Sequence, residues 1–444
     1  MRLPRRSDQV RVDTSQCTPW PSGGLLVGGA VRDLLLGASP RDLDWLVEDP
    51  ESTAREVAAA VGGSFFALDT ARGHWRVVRD DRSFDFAPPR SGEAVSATDD
   101  LRARDLTINA MALRRDGALL DPCGGLDDLR AKRVRMTSPE AMAADAVRPL
   151  RAVRFAATLG FTMEARTDSL VRELAALQAR EPSRLPAWER VRDELSAMMA
   201  SPRAALAFAL LDDVGLLDVY LPELARCRGV QQGGLHHTDV LGHAIEALHQ
   251  LLRGFPDADA ALRWATLLHD VGKPDTAERV AARRWTFYGH DARGRDLTLA
   301  ALRRLRFPSD MAARAGGLVR YHMLPLPRDE RGARRFVHRR RDLLPDLLKL
   351  MIADREAARG PLATAAGRRA YREALGQVLA MMAETPAPNP LLTGMDVMEL
   401  LGLAPGPRVG EALRLVAEAV AVGDVVDRAG AEALLRRYAE AQGW

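Results

Sequence analysis

Val27-Gly28-Gly29-Ala30-Val31-Arg32-Asp33-Leu34-Leu35-Leu36-Gly37 reads as an apolar strand, a glycine turn and a helix that ends on a glycine cap. A glycine pair before a helix lets phosphate oxygens approach backbone N–H groups at the positive helix end. Arg32 adds a forked donor. The pattern is neither GxGxxG nor a Walker A loop, and taken alone it reads first as a tight strand-to-helix turn without a ligand. A few residues on, Arg41-Asp42-Leu43-Asp44-Trp45-Leu46-Val47 reads as a strand. Residues i and i+2 of a strand share a face, so Asp42 and Asp44 project together while Leu43, Trp45 and Val47 face a core. Two adjacent carboxylates repel unless a cation sits between them or one takes up a proton. Asp85, between Phe84 and Phe86 at strand spacing, is a third carboxylate. Three converging carboxylates form a hard oxygen site for two Mg²⁺, one activating a 3′-hydroxyl and one gripping a triphosphate. For Asp85 alone, a solvent-facing strand aspartate is the alternative.

Working outward, Leu25–Val27, Leu43–Val47, Trp75–Arg79 and Ser83–Ala87 read as strands and Glu51–Val61 as a helix. Residues 1–20 read as a poorly structured lead-in. After Pro139, Ala, Leu and Arg recur at helical spacing almost to the end. The fold class is therefore α+β followed by a mostly α-helical body. At ~100–200 residues per domain, 444 residues make two to four domains. A net charge of +3, from 63 basic and 60 acidic residues, excludes a histone-like nucleic-acid coat but allows a local basic groove. Only Lys132, Lys273 and Lys349 are lysines, so the basic side chains are nearly all forked, permanently charged arginines. Cys17, Cys123 and Cys227 are far apart and odd in number, which argues against a disulfide scaffold or a cysteine zinc site and fits a reducing cytosol. The basic N-terminus has no apolar h-region and no run of eighteen apolar residues occurs, so a cytoplasmic protein without membrane partners is expected.

GGAVRDLLLG, a short gap and DLDWLV together resemble the signature of the class II tRNA nucleotidyltransferase and bacterial poly(A) polymerase family, whose head is similar to DNA polymerase β. Arg104-Asp105-Leu106-Thr107-Ile108-Asn109-Ala110 resembles its RRDxTxNAxA element, with Ala103 in place of the first basic residue. Asp121-Pro122-Cys123-Gly124-Gly125 resembles its DPxGG turn. Asp145-Ala146-Val147-Arg148-Pro149-Leu150-Arg151-Ala152-Val153-Arg154-Phe155 resembles its DxxRxLRxxRF helix, with Ala144 where the family has Glu and Pro149 inside the helix. The resemblance implies Mg²⁺ on Asp42, Asp44 and Asp85. It implies nucleotide binding by Gly28, Gly29, Arg32, Arg104, Asp105, Asn109, Asp145, Arg148, Arg151 and Arg154.

On a helix, Asp145, Arg148, Arg151 and Arg154 form one slowly drifting polar stripe, which an amphipathic helix with a salt-bridged outer face also explains. In the family the equivalent Asp and Arg replace a nucleic-acid template. Asp145 accepts from the exocyclic amine of cytosine or adenine, Arg148 donates to ring nitrogen and to cytosine O2, and uracil and guanine are rejected by unpaired acceptors. Full CCA-adding relatives carry a longer flexible loop than the segment between Phe86 and Ala103. The short segment resembles the CC-adding branch, and implies a separate A-adding enzyme acting on the same tRNA.

Histidines cluster between His236 and His290. His243, the run Leu267-Leu268-His269-Asp270-Val271-Gly272-Lys273-Pro274, His290, His322 and Asp354 follow in an order that resembles the HD phosphohydrolase domain. By that resemblance His243, His269, Asp270 and Asp354 hold one metal, and His290 and His322 a second. Imidazoles with carboxylates suit Mn, Fe or Ni ions. His236, His237 and His249 receive no role, and the arginine-rich stretch Arg331–Arg341 is either a tRNA phosphate contact or a solvated helix face. The expected organisation is a lead-in (1–23), a nucleotidyltransferase head (24–138), a helical neck that selects the base (139–225), an HD domain (226–380) and a helical tail (381–444). The expected activity is template-independent addition of C, and of A as a further option, to the tRNA 3′ end from CTP and ATP with release of pyrophosphate. A poly(A) polymerase, or an HD phosphohydrolase with a nucleotide-binding head, are the alternatives.

Overall fold

In the computed structural model, residues 11–89, 97–281, 284–327, 329–384 and 390–444 are described. The chain divides into two compact units, Met1–Pro222 and Glu223–Trp444.

The first unit is built on strands β1 (Leu25–Val27), β2 (Asp42–Leu46), β3 (Ser64–Asp69), β4 (His74–Arg79), β5 (Arg82–Ala87), β6 (Ala112–Leu113) and β7 (Leu119–Leu120). They form one sheet in the order β3-β4-β5-β2-β1-β6-β7, with β2 and β5 parallel and the other neighbours antiparallel. The alternation in β2 does what its sequence requires: Leu43 and Trp45 are buried against Phe84 and Phe86, which leaves Asp42 and Asp44 on the other face. Helix α1 (Gly29–Leu35) leaves the sheet through Gly28, whose positive φ favours glycine. Helix α2 (Pro50–Val61) is capped by Asp49, which accepts from Ser52 N–H, and ends at Gly62 in the left-handed region. It packs on β4 and β5.

Strand β3 was not expected. Ser64-Phe65-Phe66-Ala67-Leu68-Asp69 carries apolar residues at both parities, so its sequence shows no alternation, and only pairing with β4 defines it. The lead-in also differs from expectation where it is described; residues 1–10 lie outside the described residues. Val12 donates to Gly117 O at 3.1 Å and Arg11 pairs with Asp116 at 2.8 Å. Cys17 is buried, and Trp20 sits edge-on to Trp45 at 4.6 Å between centroids. Indole surface and a sheet-edge bridge hold this segment to the head.

Next come α3 (Ala97–Arg102), α4 (Gly125–Arg130), β8 (Arg133–Val134), α5 (Pro139–Ala143), α6 (Arg148–Leu159), β9 (Thr162–Met163), α7 (Ala165–Arg180), α8 (Trp188–Ala200), α9 (Ala204–Asp213), α10 (Leu216–Tyr220) and α11 (Pro222–Ala225). Pro149 stands in the first turn of α6, where a proline needs no N–H partner, so the helix starts at Arg148. Asp145 therefore lies before the helix, not on its stripe as the spacing suggested.

The second unit contains α12 (Val240–Gly254), α13 (Ala260–Leu268), α14 (Lys273–Thr276), a two-stranded ribbon β10 (Glu278–Ala281) and β11 (Arg284–Thr286), α15 (His290–Arg304), α16 (Ser309–Tyr321), α17 (Glu330–Arg340), α18 (Asp346–Ala357), α19 (Ala365–Glu384), α20 (Gly394–Leu401), α21 (Pro407–Ala421) and α22 (Arg428–Gln442). Helices α12, α13, α15, α16 and α18 pack together. A Cβ on Gly272 would lie 2.1 Å from the His290 carbonyl oxygen, so only glycine lets the chain cross the start of α15 there. The last three helices share a core around Val397, Val409, Ala412 and Leu435. The arginine stretch is spent inside this unit: Arg331 pairs with Asp424, and Arg335 and Arg339 both pair with Glu418, tying α17 to α21. No helix among the described residues is long and apolar enough to cross a membrane.

Candidate active site

A cleft of about 560 Å³ in the first unit is lined by the glycine turn, Asp42, Asp44, Arg104, Asn109, Asp145 and the arginines of α6. In β2, Asp42 accepts from Ser83 Oγ at 2.6 Å. Burial pushes the Asp44 carboxyl up to about 6; neighbouring Asp85 and Asp42 push the same way and Arg104 opposes them. Gly28 makes room for this arrangement: a Cβ there would lie 2.8 Å from Arg104 Nη1 and 3.3 Å from Asp44 Oδ2. A carboxyl held above its ordinary range beside a second carboxylate is a site that a hard cation relieves, so Asp42 and Asp44 fit Mg²⁺.

The third carboxylate departs from the expected convergence. Asp85 is in register with Asp44 on the same sheet face. Both of its oxygens, however, accept from Arg76, each at 2.6 Å. Asp42, Asp44 and Asp85 do not bring their oxygens within 4.8 Å of one another as a group of three. The Arg76 fork, which sequence spacing gave no sign of, occupies both Asp85 oxygens.

The opposite wall is cationic and pre-ordered. Arg32 donates to Asn109 Oδ1 at 2.7 Å, which leaves the buried Asn109 Nδ2 without a hydrogen-bond partner in the cleft wall. An orphaned donor on a residue of the cleft wall fits a bound acceptor. Arg151 donates to Asp105 at 2.6 Å and to Glu194 at 3.1 Å, and Arg154 donates to the other oxygen of Glu194. Burial opposes ionisation of Asp105, but Arg151 outweighs it and holds the carboxyl below its usual range. Arg32, Arg151 and Arg154 all lie over the ring of Phe155, the nearest guanidinium at 3.9 Å. Asp105–Asn109 is fixed from behind by Asp128, which accepts from Thr107, Arg133 and Arg135. The Asp121–Gly125 turn lies behind this segment too: Asp121 caps α4 through Gly125 N–H, and Gly125 backs onto the Thr107 carbonyl.

Asp145 and Arg148 both line the cleft, yet they do not pair through their side chains. Arg148 is buried and donates to the Ala103 carbonyl at 3.1 Å and to the Ala141 carbonyl. Asp145 is held instead by Arg190 of α8, at 2.9 and 2.7 Å. Burial raises the Asp145 carboxyl, and the Arg190 hydrogen bonds outweigh that and lower it. Arg190 and Glu194 were missed because their i, i+4 spacing reads as an ordinary surface pair on a helix. The middle of the short 86–103 segment, residues 90–96, lies outside the described residues.

A second constellation lies in the other unit. His243 Nε2 is 2.9 Å from Asp354 Oδ1, and His269 Nε2 is 3.1 Å from Asp270 Oδ2. Asp270 Oδ1 lies 3.4 Å from His290 Nε2 and 3.7 Å from His322 Nε2. Two candidate metal groups result, His243–His269–Asp270 and Asp270–His290–His322, sharing Asp270. His269, His290 and His322 each direct Nδ1 at a carbonyl three residues earlier, at 2.8, 2.6 and 2.7 Å. A carbonyl only accepts, so Nδ1 carries a proton and Nε2 is the atom left to face the carboxylates or a metal. Those three Nε2 atoms are buried and make no hydrogen bond. Burial lowers the His269 imidazole, but Asp270 and Asp354 push it up to about 10, so the pocket favours positive charge. Aligned imidazole lone pairs around a shared carboxylate suit one or two divalent transition-metal ions. His236, given no role from sequence, lies 3.3 Å from His243 Nδ1 and orients that ring.

Three family profiles match in order: "Poly A polymerase head domain" over residues 25–135, "Probable RNA and SrmB- binding site of polymerase A" over 160–227, and "HD domain" over 235–359. An A-adding tRNA nucleotidyltransferase of Deinococcus radiodurans is 53% identical, over 95% of this chain and 97% of its own. The chain belongs to the tRNA nucleotidyltransferase and poly(A) polymerase family. A second relative within this tRNA nucleotidyltransferase family, the CC-adding enzyme of Thermus thermophilus, is 45% identical over 94% of this chain and 93% of its own. The Bacillus stearothermophilus CCA-adding enzyme in complex with CTP superposes with a TM-score of 0.65, covering 95% of this chain and 94% of that one, at 22% identity. At that identity the likeness speaks for the nucleotidyltransferase fold alone.

Proposed function

We propose that this chain is a tRNA nucleotidyltransferase that adds the terminal adenosine to a tRNA ending in CC. The reading rests on one observation above all: the Asp42–Asp44 pair, the anchored arginines and Asp145 line a single cleft. Arg32, Arg151 and Arg154 take the triphosphate charges, and Asn109 Nδ2 donates to the nucleotide. Asp145 accepts from the exocyclic amine of the base, which guanine and uracil lack at that edge. Asp42 and Asp44 would hold Mg²⁺, which would supply charge neutralisation at the α-phosphate and lower the pKa of the attacking hydroxyl. The 3′-oxygen of the RNA bonds to the α-phosphorus, the α–β bridging P–O bond breaks, pyrophosphate leaves, and the hydroxyl proton passes to solvent.

Two observations bear on which nucleotide is added. The 53% likeness to an A-adding enzyme over nearly the whole of both chains supports ATP. The short segment between Phe86 and Ala103, together with the 45% likeness to a CC-adding enzyme, supports CTP as the second reading. Pyrophosphate release tests the activity itself. It is expected only when tRNA and nucleotide are both present, and is lost in Asp42→Asn. For the histidine–aspartate cluster the same proposal assigns a divalent transition-metal centre of the phosphohydrolase type. The working domain limits are 24–138, 139–225, 226–380 and 381–444.

A further inference from the structure

A cavity of about 670 Å³ adjoins the candidate metal groups of the second unit: Asp270, His290 and Asp354 lie in its wall. Four polar side chains outside both groups line it too, namely Gln232, Lys273, Thr286 and Arg355. Lys273 Nζ donates to Asp270 Oδ2 at 2.6 Å and to Gln232 Oε1 at 2.7 Å. An ammonium only donates, so the amide must turn its oxygen to Lys273 and leave its N–H donors on the other branch. Gln232 Nε2 is buried without a hydrogen-bond partner, as is Thr286 Oγ1. Arg355 follows Asp354 directly. Among the described residues its guanidinium makes no ion pair; it lies over the Tyr371 ring at 5.5 Å, and its buried Nε has no acceptor. Buried donors that no protein acceptor satisfies fit the oxygens of an anionic ligand. Lys273 sets the place: the Gln232 amide stands one ammonium away from the carboxylate that both metal groups share.

Much of the remaining wall is aromatic and apolar. Trp285 belongs to β11, Phe287 and Tyr288 to the turn after it, and Met323 and Leu362 complete the surface. Tyr288, Leu362 and Met323 are 84, 69 and 56% exposed. Apolar surface left open beside a charged centre is covered favourably by a ligand that brings apolar surface of its own. Inorganic phosphate or a small sugar phosphate leaves it bare, whereas a flat ring covers it. We propose that Gln232 and Arg355 form a clamp for the phosphoryl oxygens of a phosphate ester whose alcohol carries a flat ring, with that ring on Tyr288. Lys273 fixes the direction of the amide. The inference rests on the phosphohydrolase-type metal centre proposed above.

The test is calorimetric titration of the Mn²⁺-loaded full chain with phenylphosphonate, a mimic that cannot be hydrolysed, and with methylphosphonate. Gln232→Glu is the decisive variant, because it keeps an oxygen for Lys273 but offers no N–H to the ligand. It is expected to weaken phenylphosphonate binding roughly tenfold or more, the scale of one hydrogen bond to a charged group. Arg355→Met should do the same. Tyr288→Ala should weaken phenylphosphonate about fivefold and leave methylphosphonate nearly unchanged. All three variants should hold Mn²⁺ at the wild-type ratio by elemental analysis. Unchanged affinities in Gln232→Glu and Arg355→Met, or an equal loss for both phosphonates in Tyr288→Ala, would overturn the clamp, since binding at the head cleft would be blind to these substitutions. Loss of Mn²⁺ from Gln232→Glu and Arg355→Met would mean a structural role and overturn it as well. Wild-type chain that binds no Mn²⁺ would instead remove the metal-centre reading, and the clamp with it.

Discussion

Arg190 grips both carboxylate oxygens of Asp145, at 2.9 and 2.7 Å, while Arg148, three residues from Asp145, turns inward to the carbonyls of Ala103 and Ala141. The fork leaves Asp145 ionised, with an acceptor position open to an exocyclic amine. Arg190→Met should therefore cut discrimination of ATP over GTP by roughly tenfold to a hundredfold, the scale of one bidentate polar recognition. Removing the hydrogen bonds that lower Asp145 should also move the acid limb of the rate profile to higher pH. Competition kinetics across pH 5–8 would check both, and unchanged discrimination would count against the role of Asp145.

Asp44 gives a stability test with a definite sign. Its folded-state carboxyl is pushed up to about 6 from an ordinary 3.8, so the folded chain binds this proton more tightly than the unfolded chain. That contribution is full below about pH 4 and is lost as pH rises through 6. In EDTA, Asp44→Asn should be more stable than wild type at pH 8 by on the order of 2 kcal/mol, with the difference gone at pH 4. Denaturant melts at the two pH values measure it, and a variant equally destabilised at both would refute the strained-carboxylate account.

Asp128 is fully buried and accepts from Thr107, Arg133 and Arg135 at 2.6, 2.7 and 2.8 Å. Asp128→Ala should lower unfolding free energy by on the order of 3 kcal/mol, since three donors lose a charged acceptor together. ATP binding should weaken too, because the Thr107–Asn109 turn rests on that carboxylate. Intact ATP affinity in a destabilised variant would show that the turn holds its shape without Asp128.

Much of this was legible in the chain because short-range rules wrote it. The alternation Asp42-Leu43-Asp44-Trp45 fixes which face of β2 holds the carboxylates, and Asp49-Pro50 marks the start of α2. The order of His243, His269-Asp270, His290, His322 and Asp354 brought six side chains to one place. What was not legible depends on partners distant in sequence. Arg76 grips Asp85 across a strand pair, and Arg190 reaches Asp145 from α8. Ser64–Asp69 becomes a strand only beside β4. Asp145 was assigned to a helix by its three-residue spacing, whereas Pro149 sets the helix start after it.

In the second unit, Asp270 is shared by both candidate metal groups. Loading with Mn²⁺ should give one to two ions per chain by elemental analysis after gel filtration. Asp270→Ala should reduce this to near zero, while His322→Ala should remove only the second. Equal stoichiometry in wild type and Asp270→Ala would contradict a shared carboxylate.

The most direct test of the central claim is single-nucleotide extension of end-labelled tRNA in two forms, one ending at the discriminator base and one ending in CC, with ATP alone, CTP alone or both. The account predicts one added residue on the CC-ending tRNA with ATP, and none on the shorter tRNA with CTP. Addition of two residues to the shorter tRNA from CTP, with no extension of the CC-ending form by ATP, would contradict it.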